Sequence, residues 1–111
     1  MLEALWSMEF RSNSGFEGAG VVVFETGRIF GGDAQYYYVG KYDLKDDVLD
    51  ADVVIDRYSD GPGSIFDTNE QKFELKIQGK VEVPTVIAVG HRTDNPSMQL
   101  EVRLTKRAEL P

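Results

Sequence analysis

Between Gly18 and Gly40 the chain alternates short β-branched or aromatic runs with glycine-bearing corners, a pattern that leaves room for little except a β-meander. Gly18-Ala19-Gly20-Val21-Val22-Val23-Phe24 leads through Glu25-Thr26-Gly27 to Arg28-Ile29-Phe30, and Gly31-Gly32-Asp33 then leads into Tyr36-Tyr37-Tyr38-Val39-Gly40. Three consecutive strands are predicted, with Gly27 at positive φ in the first reversal and Gly31-Gly32-Asp33 forming the second. This stretch is a folding signature, and no catalytic group stands out in it.

The same period of two recurs on both sides. In the first strand, Ala4 to Arg11, Trp6, Met8 and Phe10 alternate with Ser7, Glu9 and Arg11. Ser12-Asn13-Ser14-Gly15 reverses the chain before the Gly18 run. The fourth strand, Gln35 to Tyr42, puts Tyr36, Tyr38, Gly40 and Tyr42 on one face and Tyr37, Val39 and Lys41 on the other, with the phenol rings packed and their hydroxyls expected in water. Asp43 to Asp47 is predicted as an acidic turn. Beyond it Leu49, Ala51, Val53 and Ile55 alternate with Asp50, Asp52, Val54 and Asp56.

The segment Ser59 to Ser64 cannot be a strand interior, because Pro62 lacks an amide hydrogen and glycines flank it; Ile65 and Phe66 are expected to plug one end of the core. Lys72 to Gln78 forms the sixth strand with Phe73, Leu75 and Ile77 inward, and Gly79 should end it. Thr85 to His91 and Met98 to Arg107 complete the set, the last with Met98, Leu100, Val102 and Leu104 inward. No segment carries a sustained 3.6-residue apolar period. About eight strands joined by short turns, with one apolar face and no helix to cover it, predict an all-β fold. Closure into a small antiparallel up-and-down barrel also removes exposed edges and needs no long crossover.

The 111 residues, 41% of them hydrophobic and 11% aromatic, suit one packed domain over 1–111. Trp6, Phe10, Phe73, Leu75, Met98 and Leu100 are bulky inward candidates, so the barrel is expected to be filled by its own side chains. No run approaches the roughly 18–20 apolar residues of a membrane span, and Glu3 and Glu9 stand where a signal peptide needs basic residues. A cytoplasmic protein without membrane attachment is therefore expected. Cysteine is absent, which removes disulfides, thiol nucleophiles and thiolate metal sites. The formal charge of −7, from 19 acidic and 12 basic residues, repels phosphate backbones, so no direct nucleic-acid binding is expected.

No constellation of acid, base and nucleophile can be named, so no enzyme is expected and no cofactor is implied. His91 has no second histidine to form a metal set, and Ser64 lacks the glycine frame and strand-turn-helix setting of a nucleophile elbow. Gly15 to Gly20 is glycine-rich but leads into a strand rather than a helix. Asp43, Asp46, Asp47, Asp50, Asp52 and Asp56 lack the spacing of a calcium loop. They form instead an acidic stripe headed by Asp46 and Asp47 on a loop, suited to steering a basic protein partner.

On Trp6 to Phe10, Gly18 to Val23, Gly31-Gly32-Asp33, Tyr38-Val39-Gly40 and Arg57-Tyr58, the chain resembles the GrlR family of negative regulators of type III secretion genes. That resemblance implies a lipocalin-like (calycin-like) barrel, a homodimer, and a GrlA-type transcriptional activator restrained through an exposed acidic loop. The corresponding loop here is Tyr42-Asp43-Leu44-Lys45-Asp46-Asp47, where Asp46 and Asp47 match the acidic motif and Lys45 interrupts it. The resemblance and the acidic stripe together give Asp43, Asp46, Asp47, Asp50 and Asp52 as the expected partner-binding residues, and the alternative function is carriage of a small apolar molecule inside the barrel.

Overall fold

A computed structural model describes residues 2–61, 63, 64, 66 and 70–111. Eight strands, β1 (Ala4–Ser12), β2 (Glu17–Glu25), β3 (Arg28–Gly32), β4 (Tyr36–Lys45), β5 (Val48–Arg57), β6 (Lys72–Glu82), β7 (Thr85–Arg92) and β8 (Gln99–Ala108), close into one barrel in sequential order. Every neighbouring pair is antiparallel, including β1 against β8, where Met8 faces Leu104 and Phe10 faces Val102. The fold is the small lipocalin-like up-and-down barrel that the alternating runs predict. None of the described residues forms a helix, so no helix is long and apolar enough to cross a membrane.

Period-two alternation sorts the side chains. Trp6, Val22, Phe24, Tyr36, Tyr38, Leu49, Ala51, Val53 and Ile55 are buried, while Tyr37, Val39, Ile87 and Val89 face out. Antiparallel connections alternate between the two ends. The end with the turns at 26–27, 46–47 and 83–84 is closed: Trp6 is fully buried, donates its indole N–H to the Leu2 carbonyl at 2.9 Å, and meets the Phe24 ring edge-on at 6.0 Å. Leu2 is itself 1% exposed, so the segment before β1 packs into the base. Tyr42 extends this floor against Phe24 at 5.2 Å.

The strand limits differ from the expected ones in an instructive way. Gly31 and Gly32 lie within β3, and the reversal falls at Asp33–Gln35. A Cβ on Gly31 would stand 2.0 Å from the Val21 carbonyl oxygen, so this glycine serves close strand approach rather than positive φ. Gly79 likewise does not end β6; a Cβ there would come within 2.6 Å of the Ala88 Cβ, and the strand runs on to Glu82. Asp43 is paired with Asp50 in the β4–β5 ladder, which shrinks the expected Asp43–Asp47 turn to Asp46 and Asp47. Both adopt positive φ, 53° and 64°, and Thr26 at 51° joins Gly27 at 79° in the β2–β3 turn. Two-residue hairpins of the type I′ class need left-handed backbone at both central positions, and these two turns supply it without an Asn-Gly pair. Of the expected plug, Phe66 is buried and packs edge-on to Phe73 at 5.9 Å; Ile65 and Pro62 lie outside the described residues.

Because Trp6 joins the base to the N-terminal segment, Trp6→Ala is expected to cost about 3–5 kcal/mol in urea unfolding. A loss below about 1 kcal/mol would show that the base does not depend on it.

Candidate functional site

The barrel is not filled. An apolar cavity of about 350 Å³ runs from Phe24, Ile29 and Leu104 toward the opposite end, where it opens beside Asp33, Gln35 and Phe66. The bulky inward residues fall where expected, with Phe73, Leu75 and Leu100 buried and Phe10 and Met98 partly buried. Gly18 and Ala51 are small residues in the cavity's lining. The other inward glycines admit neighbouring groups: a Cβ on Gly20 would stand 2.8 Å from the Gly32 carbonyl oxygen and one on Gly40 2.3 Å from that of Asp52, while the space beside Gly18 is taken by the Phe10 ring.

The open end is built around Asp33. Its Oδ1 accepts the backbone N–H groups of Gln35 and Tyr36, both at 2.8 Å, an Asx turn that makes the tight entry into β4. Its Oδ2 accepts the Tyr38 hydroxyl, and its backbone carbonyl accepts the Tyr58 hydroxyl from the end of β5. Tyr58 N–H also donates to the Gln35 carbonyl at 3.0 Å. Asp33, Tyr38 and Tyr58 thus converge on one corner of the cavity mouth. Burial first, then the bond to Asp33, pushes the Tyr38 hydroxyl above the ordinary phenol range, so it stays protonated as a donor. The Tyr38 hydroxyl is therefore inside the wall, not in water as expected.

Two polar groups of this corner are left over. Tyr36 is 5% exposed and Gln35 8%, and both line the cavity. Among the described residues neither the Tyr36 hydroxyl nor Gln35 Nε2 has a hydrogen-bond partner, and both atoms are closed off within the wall. Native structures leave few such groups, and each calls for an explanation.

The far side of the mouth is braced by Arg92, whose side chain is 6% exposed. Its guanidinium lies 4.7 Å from the Phe73 ring centroid and 6.0 Å from that of Phe66. Asp94 takes it bidentately at 2.9 and 2.7 Å, and Glu70 also pairs with it.

The acidic residues separate into two groups. Asp50 and Asp52 each lie 3.3 Å from Lys76 Nζ, holding that ammonium above its ordinary pKa, and Asp52 also faces Lys41 across the ladder. Asp56 accepts from Gln71 at 2.9 Å and from the Tyr37 hydroxyl at 3.1 Å, and faces Lys72. Asp43 stands opposite Asp50. The stripe read along β5 is thus interleaved with lysines from β4 and β6, while Asp46 and Asp47 stand exposed at the hairpin tip. Among the described residues no three His, Asp or Glu side chains form a metal-holding group.

No protein-family model matches this chain, and no curated protein matches it. Its class rests on architecture: a closed lipocalin-like barrel with an apolar cavity that opens at one end.

The Arg92 guanidinium holds Asp94 below the usual carboxylate range, so this pair stabilises the fold fully above about pH 4 and less as pH falls through the depressed folded value. Asp94→Asn should be less stable than wild type near pH 7 in urea, and the gap should narrow as pH falls below about 4. A gap independent of pH would mean that the carboxylate charge contributes nothing.

Proposed function

We propose that this protein is a non-enzymatic carrier or sensor that takes a compact, mainly apolar molecule into the barrel through its loop end. The observation that carries this reading is the apolar cavity of about 350 Å³ lined from Phe24 and Leu104 to Gln35 and Phe66. Small-molecule sites span roughly 300–1,000 Å³, so the volume suits a small ligand rather than a long chain. Scaled at about 24 cal/mol per Å³, an empty cavity of that size would forgo up to about 8 kcal/mol, comparable with a domain's whole stability. An apolar occupant recovers part of that by displacing poorly bound water. N-phenyl-1-naphthylamine should bind saturably with a rise in fluorescence, and Ala51→Phe, which fills the cavity while leaving the circular dichroism unchanged, should weaken it at least about tenfold. Folded wild-type protein that binds no probe would defeat the reading.

A second reading follows from the Asp46-Asp47 tip and from the GrlR-like corner at Asp33. On this reading the protein is a cytoplasmic homodimer that restrains a transcriptional activator by docking a basic surface at the tip. Asp46 suits the first left-handed position of the turn, whereas Asp47 stands at the second, where glycine is favoured, so one acidic side chain is held there against turn preference. With Asp50 and Asp52 already paired to Lys76, the docking role falls to the tip rather than to the stripe. Affinity capture with wild-type and Asp46→Lys/Asp47→Lys baits should retain a DNA-binding protein on the wild type alone. Equal retention would remove the tip from the account.

A further inference from the structure

The outer face of the barrel is not uniform. On β6 the outward side chains are Lys72, Glu74, Lys76, Gln78 and Lys80, and on β8 they are Gln99, Glu101, Arg103 and Thr105. That is the polar-out alternation of a strand with one wet face. β2 to β5 break it. Leu5, Val23, Phe30, Val39 and Val54 stand opposite one another in turn, an unbroken outward row from β1 to β5. Two residues along, Val21 and Tyr37 flank Gly32 in a second row, and Tyr58 leans on Tyr37 with ring centroids 6.4 Å apart. Val21, Tyr37, Val39 and Tyr58 are 43–59% exposed.

Strand propensity does not account for the difference. Valine suits a strand on either face, yet β6 and β8 run as long with polar outward rows. Ile87 and Val89 on β7 are also exposed, but Ile87 stands between Lys80 and Arg103 and Val89 between Gln78 and Glu101, so neither belongs to an apolar row across strands. Contiguous apolar surface rimmed by polar residues marks a contact face.

Charge decides what can cover it. The rim cancels, in a chain of formal charge −7: Glu25 is bridged to Arg28 at 2.7 Å, Asp52 faces Lys41, and Asp56 faces Lys72. A strongly charged partner or an anionic lipid surface finds nothing here to steer it. A second copy brings the same neutral, apolar surface, and a two-fold contact asks for that self-complementarity. At about 4.8 Å per strand the row is about 19 Å long. It fits the apolar core of a standard interface, which covers about 800 Å² on each partner inside a polar rim.

We propose that two copies of this chain pair through the outer face of β2 to β5, with Phe30 and Val39 at the centre of the contact. This gives the homodimer of the second reading a face, but it stands on this surface alone, apart from the acidic tip and from whatever the cavity holds.

Sedimentation velocity of the full chain should show twice the chain mass by about 100 μM. Val39→Lys should weaken the dimer at least about a hundredfold, because each copy would bury a new charge against an apolar face. Residue 39 points outward, so the circular dichroism and urea midpoint of the variant should stay near wild type. Should Val39→Lys fail to fold, Val39→Thr, which keeps shape and strand propensity, should still weaken the dimer by about threefold or more. Ile87→Lys, at an equally exposed position on β7, and Asp46→Lys/Asp47→Lys should both dimerise as wild type does. A wild type that is monomeric at about 100 μM would overturn the proposal, as would a folded Val39→Lys or Val39→Thr that dimerises unchanged. Loss of the dimer in Ile87→Lys or in the tip variant would place the contact on another face and overturn it equally. None of these results depends on whether the tip retains a DNA-binding protein.

Discussion

Everything in this molecule depends on the pairing of its first strand with its last. β1 and β8 are joined over a ladder from Leu5 opposite Ala108 to Ser12 opposite Leu100, interrupted by one register shift between Leu5 and Trp6. Without that ladder the meander would be an open sheet with one apolar face in water and two free edges. With it, the inward residues of all eight strands share one interior, and the two ends of the barrel become distinct. The base takes Trp6, Leu2 and Phe24; the longest connection, between β5 and β6, falls at the mouth.

Within that frame the interior is a contest between bulky and small side chains. Aromatic residues occupy both ends, Trp6 and Phe24 below and Phe66 and Phe73 above, while Gly18, Gly20, Gly40, Ala51 and Ala88 hold inward positions between them. Asp33 then imposes polarity on one corner of the mouth, because satisfying the turn amides and the Tyr38 hydroxyl places a carboxylate at the cavity wall, while its backbone carbonyl takes the Tyr58 hydroxyl.

Reading the chain strand by strand was enough for the inward and outward faces, because alternation is a local property. Leu49, Ala51, Val53 and Ile55 are buried as their spacing requires, and Tyr36 and Tyr38 face in while Tyr37 faces out. The candidate sites were less legible. Asp50 and Asp52 look like part of an acidic stripe along their own strand, yet their neighbours in space are Lys76 and Lys41 on the flanking strands. The cavity was legible only in part. Phe24, Ala51, Leu75 and Leu104 sit at inward spacing in the sequence, but whether facing side chains meet across the barrel depends on shear and register. Gly31 and Gly79 carried a misleading signal, since a glycine read as a turn former can equally admit a neighbouring backbone.

The sequence by itself determined an all-β meander of eight strands, the buried faces of β1, β5, β6 and β8, reversals within Glu25–Gly27 and Asp43–Asp47, and, from one apolar face with no helix to cover it, closure of the sheet. These rest on residue types and spacings within a few positions, which local sterics and the period of two translate directly into conformation. Only the tertiary structure decided where each turn begins, that the interior is left open as a cavity, and that Asp33 draws Tyr38 and Tyr58 together at its mouth. Those outcomes depend on shear and cross-strand register, which bring together groups as distant in the chain as Asp33 and Tyr58, and no local pattern specifies them.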